Sequence, residues 1–577
     1  MAVEDANGNH QRFVYHPLTG LPQYVIDGNG RVFSLNFGNV ADEQSPKMRL
    51  LSVSLLEGLP VLGETVRVGS PLVRYEYNGS GDLLRVIGRD GNVKRSFGYK
   101  NNLMVSHTDA AGLVSEYEYD HYTPTGKVLR NWTSLGEEWR FTYHDGYTEV
   151  TDVLGRTEQY HYDYNNELTK RVFADGSAVL MERDGLGRLL SHTDAMGRVT
   201  RYQYSNEGQV EAIVRPDGAI LHFDYDDCYR LIRKSDAEGR YDGYTYDEAG
   251  NLLTHTDPLK HTTRFEYADN GLLLSVTDPN GSSTAYHYNE NRQPDLITDC
   301  SGYETRLAYT PEGQLAQITD ALGQHTEYHY DADQNLTLAL YPDGSKETFG
   351  YDAAGRLKAH TDGEGHTTSY EYGQDGLPTR RTNALGHTFG YHYDKARRLV
   401  GLTNENGARY RFAYDVLDRL IAESGFDHKL TGYRYNAGNE LVEQREFGDD
   451  ASLAAKLMAQ LGGQPVLKKD AAPLSDDLDS QTPLRITEFK RDILGRLIHT
   501  LARDNDKVQE TVYQYDLDGN LVRAANRHSI TCFDYNENGQ LIAQHQWKVP
   551  SKEENARNGL PETDWRDAQY DMLYLPV

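Results

Sequence analysis

A tyrosine returns every 21 residues through the middle of this 577-residue chain, and no other feature constrains the fold as tightly. Tyr204, Tyr225, Tyr246, Tyr267, Tyr288, Tyr309, Tyr330, Tyr351, Tyr372, Tyr393, Tyr414 and Tyr435 keep the spacing without insertion or deletion. One step back stands Arg183, the single substitution, and one step further Tyr162, which makes 14 equivalent positions. Looser copies flank the array at Tyr77, Tyr99, Tyr119 and Tyr143, then at Tyr515 and Tyr535. A fixed period of this length means that one small supersecondary unit is stacked on its neighbours.

The unit reads as a β-hairpin. In YTYDEAGNLLTHTDPLKHTTRFEY, which starts at Tyr244, the paired aromatics at i and i+2 share one strand face, because side chains alternate with period 2. Asp247-x-x-Gly250 follows, a type I turn pattern with glycine available for positive φ. Leu252 begins a return strand, and a second turn falls eleven residues after the tyrosine: Asp257 here, Asp194, Asp236, Asp278, Asp299, Asp320 and Asp362 elsewhere. Glycine closes that second turn in 11 of the 13 complete units. Two strands and two turns fill the 21 places, so the chain is a continuous antiparallel meander.

Each unit widens the sheet by two strand spacings, roughly 9.6 Å, so 14 units form a strip about 135 Å wide. A twisted open sheet of more than about ten strands curls, splits or closes. The expected fold class is therefore all-β: hairpin repeats in a curled, hollow antiparallel shell. A propeller, with pairs of units mimicking blades of about 40 residues, is the alternative. Composition agrees with much sheet and little thick core. Only 38% of residues are hydrophobic, yet 11% are aromatic and Tyr alone supplies 42, which suits half-wet surfaces and argues against disorder.

Departures from the period set the expected boundaries. Residues 1–71 contain strand-like stretches (Gln11 to Tyr15, Arg31 to Asn36) without the register, and read as an N-terminal β cap. Residues 72–447 are the repeat shell. Between 448 and 484 the period breaks: Leu453, Leu457 and Leu461 have helical spacing, Gly462-Gly463 stop the helix, and a loop with Pro465, Pro473 and Pro483 follows. Residues 485–545 resume the repeats, and 546–577 read as the last segment of an incomplete shell.

The unit Y-x-Y-D-x-x-G-x-L, as in YTYDEAGNLL, FGYDAAGRLK and YQYDLDGNLV, resembles the YD repeat of Rhs proteins, and the likeness runs from about 72 to 545. The stretch GLPQYVIDGNGRVFSLNFG is similar to the segment before the repeats in bacterial members. The resemblance implies a cocoon-like container around the C-terminal toxin of a polymorphic toxin, with delivery by a type VI secretion system and a relation to the encapsulating part of Tc toxins. The partners it implies are a toxin cargo, further shell segments and secretion spike proteins. Within these 577 residues no spike-tip domain, no toxin domain and no aspartyl self-cleavage element after the shell is read, so a partial shell is expected. Asp278-Pro279-Asn280-Gly281 has the letters of that element but stands in the ordinary turn register, and reads as a turn.

Other chemistry finds little purchase. A formal charge of -28 disfavours phosphate backbones, so no nucleic-acid partner is expected. Cys228, Cys300 and Cys532 lie far apart without a CxxC pair, and are expected to be buried reduced thiols. Histidines recur between the paired tyrosines (His161, His287, His329, His392) and before the second turn (His107, His192, His255, His360). Nearest members are two units apart, so they read as solvated or hydrogen-bonded sheet residues rather than ligands with bonds of about 2.1 Å. Adjacent carboxylates such as Asp226-Asp227 are expected on opposite strand faces, unable to act together. No catalytic, cofactor-binding or metal residue is nominated, and no enzyme is expected. No Sec-type signal and no membrane span are read, which points to a cytoplasmic product exported by another route. A structural toxin container is preferred over an extracellular YD-repeat binding module, which would be expected to carry a signal or anchor.

Overall fold

Each 21-residue period becomes a six-residue strand, a turn, a five-residue return strand and a second turn, as in Glu304–Tyr309, Leu315–Thr319 and His325–Tyr330. The computed structural model describes residues 2–5, 10–28, 30–40, 47–57, 67–449, 481–504, 507–551, 557 and 565–566. Every element whose bounds it describes is a β-strand. There are 47, joined in one sheet in which each described ladder links strands that follow one another in the chain. The hairpin meander expected from the period is what the chain forms.

Register within a hairpin is set by a bulge beside the repeat tyrosine. Ala308 faces Gln317, but Tyr309 faces Leu315, so Ala316 is the extra residue. The same shift occurs at Tyr204, Tyr225, Tyr267, Tyr288, Tyr330 and Tyr351. Such a bulge adds twist and ends the ladder one residue early, leaving five residues for the turn.

The two faces of the sheet differ. Along Glu304–Tyr309 the side chains of Thr305, Leu307 and Tyr309 are half-buried while Glu304, Arg306 and Ala308 are exposed. Ser283–Tyr288 and Ile220–Tyr225 alternate in the same sense. The face carrying the repeat tyrosine, here the tyrosine face, thus holds the thin apolar layer. On the opposite face full burial appears only locally. One place is Ala413, Ala422, Ser424 and Leu430. Another is Ala525, Ile530 and Cys532, against which Val512, Trp547, Val549 and Trp565 pack.

The chain divides into two compact units. The first holds Met1–Phe141, Tyr246–Thr254 and Thr263–Lys395; the second holds Thr142–Thr245, His255–Thr262 and Ala396–Val577. Each unit therefore contains an early and a late stretch of the strip. In the first, the strands Pro22–Ile26, Val32–Asn39 and Met48–Glu57 continue the ladder, and Arg67–Tyr77 runs across position 71. In the second, Leu441–Glu446 pairs directly with Arg485–Arg491, so the sheet continues past the break in the repeat. The expected helix at Leu453, Leu457 and Leu461 and its proline-bearing loop lie outside the described residues.

Two sequence expectations need correction. Cys228 and Cys300 are exposed, and only Cys532 is buried. The first two occupy hairpin turns (Asp226–Arg230 and Asp299–Tyr303), where the side chain stands exposed. Asp226 and Asp227 also sit in a turn rather than on a strand. Asp226 Oδ1 accepts from the Cys228 and Arg230 N–H groups at 2.9 Å each, which makes it a turn cap.

Candidate functional site

A meander of this kind exposes two rows of turns, one along each edge of the strip. The tyrosine turns follow the repeat tyrosine; the far turns lie at the other strand end. Both close in the same way. The N–H of the first residue donates to the carbonyl of the fifth, and the fourth N–H returns to the first carbonyl, as for Asp352/Arg356 and Gly355/Asp352 at 3.0 Å each. An aspartate at the first place adds its carboxylate: Asp352 Oδ1 accepts from Ala354 N (2.9 Å) and Arg356 N (3.0 Å). Burial works against that charge, but the hydrogen bonds from Arg356 and Ala354 hold the carboxyl below the usual range. The fourth residue is left-handed, with φ of 78° at Gly355, and stays so where glycine is missing: Tyr229 has φ 62° and Asp418 62°.

An arginine at the fifth place of many turns went unread in the sequence. In tyrosine turns it works as a three-way clamp. Arg356 Nε donates to Asp352 Oδ2 (2.7 Å), its NH1 reaches the Gly373 carbonyl of the next tyrosine turn (2.7 Å), and its guanidinium lies 4.9 Å from the Tyr372 ring centroid. Arg188 and Arg419 repeat the arrangement against Ser205 and Tyr204, and Asn436 and Tyr435. The recurring Gly-Arg after Asp-x-x was the available signal. The repeat tyrosine adds a second tie. Its hydroxyl donates to the carbonyl fifteen residues upstream, as Tyr309 to Pro294 (2.7 Å), Tyr372 to Leu357 (2.7 Å) and Tyr204 to Leu189 (2.9 Å).

Far turns of the early stretch meet tyrosine turns of the late stretch inside each unit. In the first unit Arg89 pairs with Glu312 (2.9 Å), and Lys94 pairs with Asp333 (2.6 Å) while also holding Asp90 (2.8 Å). In the second unit Arg156 and Arg398 both bind Asp418, and Arg198 NH1 meets Glu440 at 2.6 Å. Arg215 donates to the Leu517 carbonyl (2.5 Å), and Asn538 donates to Asp257 (2.5 Å). Asp518 takes both Arg240 and the Ala237 N–H (2.9 Å). The partners that cross are 242 to 302 residues apart in the second unit, whereas Arg398 is a neighbour of Asp418 on the same edge, 20 residues away. Burial raises the pKa of Asp518, helped by the neighbouring Asp236 carboxylate, whereas Glu440 is held low by Asn436 and Arg198 in spite of its burial. The named contacts are made by side chains and turn groups; here a polar seam joins the two edges.

The histidines remain local partners. His255 Nε2 lies 2.7 Å from Asp242 with its ring stacked on Tyr244, and His360 lies 2.9 Å from Glu347 and stacks on Phe349. His161 stacks on Tyr147, His107 on Tyr117, and His287 is 2.6 Å from Asp295. Among the described residues no group of three His, Cys, Asp or Glu side chains gathers as a metal site. On the tyrosine face Tyr433 donates to Glu423 (2.6 Å), and burial together with that carboxylate pushes Tyr410 up to about 12 and Tyr433 upward as well. Asp278–Gly281 is an ordinary far turn, with Gly281 N donating to Asp278 O at 2.9 Å and φ 86° at Gly281. A recess of about 680 Å³ adjoins the Arg89–Glu312 pair, with Gln317, Glu327, Tyr328 and Asp331 in its wall. No described helix is long and apolar enough to cross a membrane.

Comparison with known proteins matches these features. Residues 217–349 and 478–550 match the family described as Teneurin YD-shell, and residues 183–220, 351–388 and 374–409 match RHS Repeat. The toxin protein Tse5 of Pseudomonas aeruginosa is 35% identical over 181 residues, which are 30% of this chain and 14% of that protein. The double-stranded DNA deaminase toxin A of Burkholderia cenocepacia is 35% identical over 97 residues, 16% of this chain and 7% of that protein. The chain thus spans a small part of the relatives it matches. Among solved structures, TcdB2-TccC3 aligns with 95% of this chain and 32% of its own at a TM-score of 0.56 and 14% identity. The same complex without its hypervariable C-terminal region gives 95%, 39%, 0.57 and 13%. At such identity the likeness is one of fold.

Proposed function

The chain belongs to the Rhs/YD-repeat shell family, and we propose that it serves as the wall of a toxin container rather than as a catalyst. The observation that carries the reading is the polar seam: in each unit an early stretch of the strip is joined edge to edge with a late one, as a wall requires. The toxin relatives supply the cargo in this proposal. The wall would shield a toxin domain, other shell segments would complete it, and export would follow a type VI route with a spike protein as carrier. A sheet with a half-polar surface on both faces would hold such a cargo through many weak contacts, leaving it free to depart.

Limited proteolysis of the product of the whole reading frame tests this. A toxin segment encoded with the repeats should resist protease while the repeats are intact. Digestion at the rate of the same segment expressed alone would overturn the container reading. The Teneurin YD-shell match favours a second reading, an extracellular binding module, which that outcome would leave ahead.

A further inference from the structure

Arginine in the far turns is not needed to build the turn. Asp320 Oδ1 caps its far turn through Leu322 N (2.9 Å) and Gln324 N (2.8 Å), with glutamine at the fifth place. The far turns 278–282, 299–303, 320–324, 341–345, 362–366, 383–387 and 404–408 contain no Lys or Arg at all. These turns are open: Leu322 and Leu385 at their tips are 81% and 79% exposed. Of the six far turns from 152 to 261, built on the same plan, all but 173–177 carry a cation: Arg156, Arg198, Arg215, Arg240 and Lys260. Four of those five cations reach across to a late-stretch tyrosine turn. The basic residues therefore stand where an opposing edge has to be held.

We infer that the arginine seam of the second unit is a release line: the early and late stretches part there, as intact sheets, while the hairpin ladders stay closed. The inference deepens the container reading by naming the regulation of the wall. Along the strip the hairpins are secured by ladder hydrogen bonds, to which a tyrosine hydroxyl and an arginine clamp are added where the repeat supplies them, as at Tyr435 and Arg419. Across the seam the named contacts are charged or polar groups at half-wet turns, each weakened by salt and by any competing anion or cation. A partner that presents its own acidic groups to Arg198 and Arg240 can replace Glu440 and Asp518 without breaking a strand. The Arg240–Asp518 contact is the strongest place to intervene, because Asp518 also receives the Ala237 N–H, which reports on the seam directly.

Hydrogen exchange of the full chain, followed by peptides, tests the inference and needs no cargo. Arg240→Gln copies the far turn that ends at Gln324, so the turn itself should persist. In this variant, exchange in the 236–240 and 516–520 turns should rise about tenfold, the scale of one lost charge-assisted hydrogen bond. The adjoining strands Leu231–Ser235 and Leu521–Asn526 should keep their protection. Raising salt to about 1 M should move the native protein the same way. In the paired variant Arg240→Glu with Asp518→Arg, protection should return across the two turns except at the Ala237 N–H, whose acceptor Asp518 has been removed. Unchanged exchange at the turns would overturn the release line, and so would equal loss from turns and strands. A wall that opens at this seam yet fails to protect cargo from protease would refute the container reading alone.

Discussion

The strands Ser283–Tyr288 and Glu304–Tyr309 of the first unit and the strands Arg409–Tyr414, Leu420–Ser424 and Leu430–Tyr435 of the second share one repeat but not one environment. Their tyrosine faces are alike: Tyr309 donates to the Pro294 carbonyl and Tyr435 to that of Leu420, at 2.7 and 3.0 Å. The opposite faces diverge. In the first region Glu304, Arg306 and His287 stand in solvent. In the second, Ala413, Ala422, Ser424 and Leu430 are almost fully buried around Gly432. The difference shows that the repeat secures hairpins and ladder through one face only, which leaves the other free to be charged and open or small and covered.

The largest expected effect breaks the comparison on the variable face. Leu430 and Ile220 occupy the same repeat position, ten periods apart, at 1% and 40% exposure. Leu430→Ala should cost about 3 kcal/mol, as large-to-small changes in packed sites do. Ile220→Ala should cost under about 1 kcal/mol, in proportion to the area it hides. Denaturant titration with hydrogen exchange on the neighbouring strands reads both, and equal costs would mean that the second region is not specially packed.

A middle effect sharpens the claim that the tyrosine faces are equivalent. Tyr309→Ala should cost about 2 kcal/mol, less than a fully buried aromatic because the ring is half-wet. Tyr309→Phe and Tyr435→Phe should each cost about 1 kcal/mol, the worth of one hydroxyl-to-carbonyl bond. A clear inequality between the two Phe variants in thermal or denaturant unfolding would tie the tyrosine to its region rather than to its repeat.

The smallest effect concerns the turns, which the two regions also share. Tyr229 holds a left-handed conformation that glycine fills elsewhere, at φ 62°. Tyr229→Gly should stabilise the protein by roughly 0.5 kcal/mol, the relief of left-handed strain less the chain entropy of glycine. Gly250→Ala in the next tyrosine turn should do the opposite, and a melting-temperature pair reads the sign.

Legibility followed distance along the chain. Alternation, tyrosine spacing and Asp-x-x-Gly are all contained within 21 residues, so Tyr244 to Tyr267 sufficed to read strand, turn and return strand. The bulge beside the tyrosine escaped notice because it changes register without changing the period. The fifth-place arginine was equally visible as Gly-Arg, but its partner was not: Arg356 closes on the next turn, while Arg198 reaches Glu440, 242 residues away. Cys228 and Cys300 depart from that rule: residue type suggests burial, but their turn positions, legible within one repeat, leave them exposed.

By itself the sequence determined the hairpin, the sheet, its two edges and the tyrosine face, because each follows from local alternation and turn chemistry. Only the tertiary structure decided which far turns would meet which tyrosine turns and where the second face would be covered. Those outcomes depend on how small twists between strands accumulate over many strands, a sum that no single repeat contains.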